Sequence, residues 1–536
     1  MPQRTAKKLI REKIERMPLS RFLHEYKEIA GYGTPSRAIY QTIRELVENA
    51  LDATDVYGIK PDIVLVIEEI GKEKYRIRIT DNGIGVDPKY VPNAFASVLS
   101  SSKYKFRQSR GRFGLGVKMA VFHAQSTTGE ATEVYTSPIG SSKIYYFSLK
   151  PNISLTELEE KEPIILAKGV WSKPSNWHGT VVRLIIRGAW SRVRSRIKEY
   201  LKMTAIVTPY ARIIVITPDG EIIVYPRIVE EVPPGPKETK PHPHGVDIEM
   251  LKYLIRKSSA RTLKEFLIEA FQGVGRKTAE KVIKEAGLDP NIDPRKMDDK
   301  MLEKLAVTLR NYKGFRSPSA AALSPIGANI IKAGLRTIFS PEFVEAVTRK
   351  PKAYQGHPFI VEVGIAYGGA IPAMDEPLLL RYANKIPLLL EKSGDVAAKV
   401  VKSINWRQYL VSFPAPLVIL THICSTKIPY TGLGKESVMD VDEIRDELEA
   451  AIREVARKLR AYLLEKRREQ ETKRRLITFL KYMPEITKSL LVVAKNTKVK
   501  EEEIRDKLIE CITRKLGVPK EHVVKMISNY DVKIEE

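Results

Sequence analysis

Apolar side chains at Ile39, Ile43, Leu46, Val47 and Ala50 recur with the spacing of one helix face, behind Thr34 as an N-cap and Pro35 at the first helical position. The pattern predicts a helix whose inner face packs on a core. Glu45 and Asn49 are four apart and fall together on its other face. Alternation through Tyr75-Arg76-Ile77-Arg78-Ile79 predicts a strand, which runs into Asp81-Asn82-Gly83-Ile84-Gly85, a turn that needs the backbone freedom of Gly83 and Gly85. After Gly111-Arg112-Phe113-Gly114-Leu115-Gly116, the run Val117-Lys118-Met119-Ala120-Val121-Phe122 resumes helical periodicity.

Further along, Glu231-Val232-Pro233-Pro234-Gly235-Pro236-Lys237 interrupts both helix and strand and marks a domain boundary. A helical block follows. Thr262 and Glu265 form a capping box for a helix through Phe266 and Ile268, Gln272-Gly273-Val274-Gly275 breaks it, and a second helix covers Lys277 to Ala286. From about Arg316 the pattern is mixed, with strands at Phe359 to Ala366 and Leu417 to Ile423. Asp440 and Glu443 suggest a capping box for a helix running to Met483, where Pro484 is expected to stop it. Ile444, Leu448, Ile452, Val455, Leu459 and Leu463 give that helix one apolar stripe. At about 1.5 Å per residue it is roughly 65 Å long, more than a compact domain hides, so it reads as a lever. Its far end is charged from Lys466 to Arg475, then apolar at Leu476, Ile477, Phe479, Leu480, Tyr482 and Met483. That end is expected either to dock a partner subunit or to be a solvated helix with a minor packing patch. The residues from Glu485 onward carry no assignable task.

Composition adds bounds. A chain of 536 residues supports three or four domains, and 90 basic against 65 acidic residues give a net charge of +25, which favours a polyanionic partner. The two cysteines, Cys424 and Cys511, exclude a disulfide framework and fit a reducing interior. Nowhere do about eighteen apolar residues run together, and the start at Met1 leads into mixed charge, so a cytoplasmic location is expected.

The three N-terminal patterns carry the chemistry. A carboxylate at Glu45 can orient water, an amide oxygen at Asn49 can ligate magnesium, and a carboxylate at Asp81 can accept from an adenine amino group. The backbone N–H groups of Gly111 to Gly116 sit at a helix start, where phosphate binds, with Lys118 as a mobile positive charge. Val117 separates the last glycine from the lysine, so this is not a Walker loop. Taken singly, each pattern is also an ordinary solvated face, turn or loop. Their fixed order, each on the required helix, strand end or loop, describes an ATP site. Lys427 follows the apolar run Leu417-Val418-Ile419-Leu420 and precedes Pro429, which places it at a strand end on a rigid turn; a plain solvent-exposed lysine is the other reading.

In this order the motifs resemble the GHKL ATPase superfamily. The segments Ser101-Ser102-Lys103-Tyr104, His178-Gly179-Thr180, Arg349 to Phe359 and Ser425-Thr426-Lys427-Ile428-Pro429-Tyr430 look like the topoisomerase VI B-subunit family of archaea. The resemblance implies an α+β multidomain chain: a GHKL (Bergerat) ATPase sandwich, a helix-two-turns-helix insert, and an α/β transducer domain with a long C-terminal helix. The expected divisions are an arm over 1–33, the ATPase domain over 34–235, the insert over 236–315, the transducer over 316–483 and a tail over 484–536. The arm either crosses to another protomer or is a frayed terminus.

The same resemblance implies residue roles. Glu45 would be the general base and Asn49 the ligand of Mg2+. Asp81 would contact adenine, supported by Thr180, while Ser102 and Lys103 border the nucleotide. Gly111, Arg112, Phe113, Gly114, Leu115, Gly116, Val117 and Lys118 would wrap the phosphates, and Lys427 would reach the terminal phosphate of ATP. The sequence has no Glu-Gly-Asp-Ser run of a metal-binding cleavage domain. The resemblance therefore implies a separate A subunit that cuts double-stranded DNA, with two B chains dimerising on ATP inside an A2B2 heterotetramer to relax supercoils by strand passage. Arg276 and Lys277 would meet DNA phosphates in that assembly, or else lie on the exposed surface of a packing module. The alternative is an ATP-driven protein clamp of the chaperone or mismatch-repair type; a signalling kinase, for which only His24 offers itself, is more remote.

Overall fold

In a computed structural model the described residues are 25, 31–97, 106–111, 116–152, 162–173, 175–432, 436–493, 500–517, 519–521 and 523. The chain divides into two compact units, Met1–Asn405 with Val411–Val455, and Trp406–Leu410 with Ala456–Glu536.

The first unit begins with helix α1 (Pro35–Asp55), where the Thr34 hydroxyl accepts from the Arg37 N–H at 3.2 Å and Pro35 occupies the first turn. Strands β1 (Asp62–Gly71) and β2 (Lys74–Thr80) follow, then α2 (Val91–Ala96), α3 (Gly116–Thr128), β3 (Thr132–Ser137), β4 (Lys143–Lys150), β5 (Ile164–Ser172), β6 (Gly179–Arg187), α4 (Arg194–Val207), β7 (Arg212–Ile216) and β8 (Ile222–Tyr225). The strands form one eight-stranded sheet in the order β5-β4-β3-β6-β2-β1-β7-β8, antiparallel except for the β1–β7 pair. Ile39, Ile43 and Leu46 of α1 are buried together with Ile77 and Ile79 of β2, Leu184 and Ile186 of β6, and Tyr200 of α4. One face of the sheet is thus covered by helices, which leaves the outer stripe of α1 for chemistry.

Four helices come next: α5 (Ile248–Lys257), α6 (Leu263–Ala270), α7 (Arg276–Ala286) and α8 (Asp299–Asn311), around Leu251, Leu263, Phe266, Phe271, Val282 and Leu305. The Thr262 hydroxyl accepts from the Glu265 N–H at 3.2 Å; the reciprocal bond to Glu265 comes from the Arg261 N–H, one residue earlier than a capping box places it.

A second sheet completes the unit. Helix α9 (Ala328–Phe339) precedes β9 (Phe343–Thr348), β10 (Lys352–Tyr354), β11 (His357–Tyr367), β12 (Leu378–Ala383), β13 (Ile386–Pro387), α10 (Val396–Ser403) and β14 (Leu417–Ser425), ordered β10-β11-β14-β12-β13 with β9 also on β11. Every residue of β14 is buried, which explains why it reads as a continuous apolar run. Tyr382 and Leu380 of β12 pack with Met203 and Ile206 of α4, and the Tyr382 hydroxyl donates to the Met203 carbonyl at 2.9 Å, joining this sheet to the first.

Helix α11 (Asp442–Val493) starts in the first unit, with Ile444, Leu448, Ile452 and Val455 buried as the apolar stripe predicts. Two expectations are corrected. Asp440 does not cap it: its carboxylate takes the Arg445 guanidinium at 2.7 Å and Lys399 at 3.0 Å, and the helix opens two residues later. Nor does Pro484 end it. Proline removes one helical hydrogen bond and crowds the preceding turn, a cost of about 3 kcal/mol. In the second unit, however, Leu476, Leu480 and Met483 pack with Ile509 of α12 (Glu501–Leu516) and with Val523. Thr487 past the proline is buried and donates to the Met483 carbonyl at 2.8 Å, so packing on both sides outweighs the local break. The apolar end expected as a docking surface is thus largely spent on this internal cluster, which leaves Ile477 and Tyr482 exposed. No helix among the described residues is long and apolar enough to cross a membrane.

Candidate functional site

The outer stripe of α1 carries Gln41, Glu45 and Asn49, one turn apart and half-buried, while their neighbours Ile43, Leu46 and Val47 are inside. Gln41 Nε2 donates to Glu45 Oε1 at 2.8 Å, which fixes the carboxylate on the helix. Helix α3 packs its first turn on this stripe. A Cβ at Gly116 would overlap the Glu45 carboxylate where it stands, so glycine lets the carboxylate keep this position. A carboxylate and the N–H groups of a helix start thereby share one small space. Behind them the Tyr32 ring is buried 5.1 Å from His123, centroid to centroid, and burial followed by the nearby Glu45 charge pushes its hydroxyl pKa upward, keeping it a neutral phenol.

A second carboxylate lies at the end of β2. Asp81 Oδ1 accepts from the N–H groups of Gly83 at 2.8 Å and Thr180 at 3.1 Å, and the Asp81 N–H returns a bond to the Thr180 carbonyl at 3.0 Å. Gly179, at φ 135°, brings β6 so close that a Cβ would overlap the Asp81 carbonyl oxygen. Burial pushes the Asp81 pKa up to about 6, against the pull of the two backbone donors and His178. His178 donates from Nδ1 to the Gly83 carbonyl at 2.7 Å and so holds the turn. With Oδ1 spent on the backbone, Oδ2 is the acceptor left for a ligand. Asn82 has another use: its side chain bridges the Lys60 carbonyl and the Asp62 N–H, tying the turn to β1.

The segment leading to the glycine loop is pinned under α1. Arg110 is buried between Asp52 at 3.1 Å and Asp55 at 2.5 Å, and the Tyr210 hydroxyl adds a bond to Asp55 at 2.9 Å. The Ser109 hydroxyl donates to the Gly111 carbonyl at 2.8 Å. Lys427 lies on the other sheet, exposed just past β14, with its N–H donating to Ser425 Oγ at 3.1 Å. The adjoining Thr426 hydroxyl meets His357 Nδ1 at 3.0 Å.

The structure therefore brings Glu45, Asn49, Gly116, Val117 and Lys118 onto the packed pair α1 and α3, pairs Asp81 with Thr180, and sets Lys427 on a separate sheet. Lys118, expected as a mobile charge, is instead buried within the first turn of α3, because that turn is pressed onto α1. A buried ammonium persists only where polar groups hold it. Ser102, Lys103, Arg112, Phe113, Gly114 and Leu115 lie outside the described residues. Sequence reasoning misses Gln41 and Arg110, and it quotes His178 within a family segment without giving it a role. Gln41 alone has a local signal, its i to i+4 spacing to Glu45. As for a metal, no group of three or more His, Cys, Asp or Glu that could hold an ion occurs among the described residues. A single amide oxygen from Asn49 suits Mg2+, which keeps most of its waters and takes substrate phosphates as ligands.

The family described as "Topoisomerase VI B subunit, transducer" matches residues 318–475, and "Histidine kinase-, DNA gyrase B-, and HSP90-like ATPase" matches 34–153. The chain is 47% identical to the B subunit of type 2 DNA topoisomerase 6 from Metallosphaera sedula, over 97% of this chain and 99% of that one. It is likewise 47% identical to the protein of the same name from Sulfurisphaera tokodaii, over 98% and 99%. Among solved structures, the ATPase region of Saccharomyces cerevisiae topoisomerase II aligns at a TM-score of 0.37 and 12% identity, over 80% of this chain and 86% of that one.

Proposed function

Because the chain belongs to the family of type 2 DNA topoisomerase 6 B subunits, we propose that it is the ATP-binding and ATP-hydrolysing half of a two-component topoisomerase that relaxes supercoiled DNA. The observation that carries the mechanism is the packing of Glu45 against the first turn of α3, which sets a carboxylate beside N–H groups suited to a phosphate. Glu45 takes a proton from a water attacking the terminal phosphorus, and Gln41 keeps the carboxylate aimed. Asp81 Oδ2 accepts from the adenine amino group, and Thr180 holds Asp81 in place. Asn49 would hold Mg2+, which neutralises charge on the phosphates when bound. By family resemblance, Ser102 and Lys103 border the nucleotide, and the run from Gly111 through Arg112, Phe113, Gly114 and Leu115 to Lys118 wraps the phosphates.

Lys427 reaches the terminal phosphate from the second sheet. Loss of that phosphate on hydrolysis then frees the sheet, as in other phosphate-held switches. Two copies close on ATP around one duplex within an A2B2 heterotetramer in the cytoplasm, and the A subunits open a second duplex. The net charge of +25 supports a DNA partner. The divisions 34–235, 236–315 and 316–483 would be the ATPase, helix-two-turns-helix and transducer parts, with Arg276 and Lys277 offered to DNA phosphates and the side of the far end of α11 that carries the exposed Ile477 and Tyr482 to the A subunit. A chaperone or repair clamp is not favoured, given relatives of the topoisomerase name 47% identical over nearly the whole chain.

The test is relaxation of supercoiled plasmid by this chain with its A subunit, with and without ATP and Mg2+, beside Glu45→Ala. ATP-dependent relaxation that is lost in the variant is expected. ATP-driven dimerisation without relaxation would overturn the topoisomerase reading and leave only a clamp.

A further inference from the structure

The tip of the β12–β13 hairpin is a two-residue turn, Asn384-Lys385, with φ of 49° and 67°. Turns of that hand favour asparagine and then glycine. A lysine with positive φ is strained, and this one is also buried. Its ammonium donates to Ser324 Oγ at 3.0 Å and stands 3.7 Å from Asp55 Oδ2, so two carboxylates, Asp52 and Asp55, face two cations, Arg110 and Lys385. The Lys385 N–H donates to His422 Nε2 at 3.0 Å on β14. Strain and a buried charge together pin the turn between the two sheets. Such costs persist where the surroundings over-determine the conformation, and they cluster at functional elements.

Asn384 occupies the junction. Its Oδ1 accepts from the Ser425 N–H at 2.9 Å, and its Nδ2 donates to the Ser425 carbonyl at 3.0 Å and to the Ser109 carbonyl at 3.3 Å. From Ser425 one further bond reaches the Lys427 N–H, and from Ser109 one further bond reaches the Gly111 carbonyl. One carboxamide thus clasps both the segment that leads to Gly111 and the strand end that bears Lys427.

Resting on the ATP-site reading above, we propose that Asn384 is a positioning residue that sets Lys427 and the Ser109–Gly111 segment in register, with Lys385 as its buried anchor. A shift of the β14 end when Lys427 meets phosphate is passed through this amide to Ser109, and a shift at Ser109 is passed back. Coupling of this kind is reciprocal. Asn384 touches no reacting atom and acts only through the two arms.

Asn384→Gly is the informative variant, because glycine keeps a φ of 49° without strain and removes only the carboxamide. In the full chain with its A subunit, the kcat for ATP hydrolysis is expected to fall about tenfold, with KM for ATP within about threefold of the parent. In a Lys427→Ala background the same substitution should cost nothing further, since both act on one contact. Asn384→Asp, which keeps the acceptor and loses the donors to Ser109 and Ser425, should match the glycine variant, with melting measured for each. Full additivity of Asn384→Gly with Lys427→Ala, an unchanged kcat in Asn384→Gly, or a loss of rate that tracks a fall in melting temperature would overturn the proposal alone. A Lys427→Ala chain with parental hydrolysis and relaxation would overturn the role of Lys427 itself, and this inference with it.

Discussion

Gln41 Nε2 sits 2.8 Å from Glu45 Oε1, one helical turn away on the half-buried outer stripe of α1. Glu45→Gln keeps the shape and removes the base, so kcat for ATP hydrolysis should drop by about 10²–10⁴-fold while ATP binding persists. Gln41→Leu withdraws a donor from the ionised carboxylate, which raises the pKa of the base. Its kcat should fall by only a few fold, and the acid limb of its pH–rate profile should move to higher pH. An unmoved limb would remove Gln41 from the aiming of Glu45.

Gly116 opens α3 against the same carboxylate. Alanine is the better helix former by about 1 kcal/mol, so intrinsic propensity predicts no loss of folding at Gly116→Ala. Its Cβ nevertheless claims the space of the Glu45 carboxylate, which must swing away. Hydrolysis should fall at least as far as in Glu45→Gln with thermal melting close to the parent. Melting curves beside steady-state kinetics separate this from a general packing defect.

Asp81 titrates near 6 because burial disfavours its charge more than Gly83, Thr180 and His178 favour it. The folded pKa stands above the ordinary 3.8, so the protonated acid is the form folding prefers, and stability contributed by this group declines as pH rises from about 4 to 6. Nucleotide binding has the opposite sign, since only the carboxylate is a full acceptor for the adenine amino group. ATP affinity should weaken as pH falls through about 6. Asp81→Asn should lose roughly 10–100-fold in affinity, the value of a hydrogen bond to a charged group, and should flatten that pH dependence. Titration calorimetry with a non-hydrolysable ATP analogue at pH 5.5 and 7.5 reads both effects.

What the sequence made legible here is local. The Thr34 cap, the stripe of α1 and the alternation of β2 depend on neighbours a few residues away, and each appears where its pattern predicts. Arg110 gave no such signal, because its carboxylate partners lie 55 and 58 residues upstream, and Asn384 lies 275 residues beyond Ser109. Those pairings exist only once two sheets are packed. The same limit misplaced the end of α11: Pro484 is a correct local stop sign, overridden by Ile509 and Val523, contributed from further down the chain.

Arg110 is also the place where stability and the site meet. Its guanidinium is buried between Asp52 and Asp55, so the cluster ties the segment that ends at Gly111 to α1. Arg110→Met leaves two buried carboxylates facing Lys385 alone, and breaking a buried pair in this way costs about 3–5 kcal/mol. Adding Asp55→Asn removes one of the orphaned charges, and the amide can still accept from the Tyr210 hydroxyl. The double variant should therefore melt above Arg110→Met, a non-additivity that two independent sites would not show. Thermal melting of the two single variants and the double checks this directly. If the double variant instead melts at the sum of the single losses, Arg110 and Asp55 are uncoupled, and the cluster does not tie the segment before Gly111 to α1.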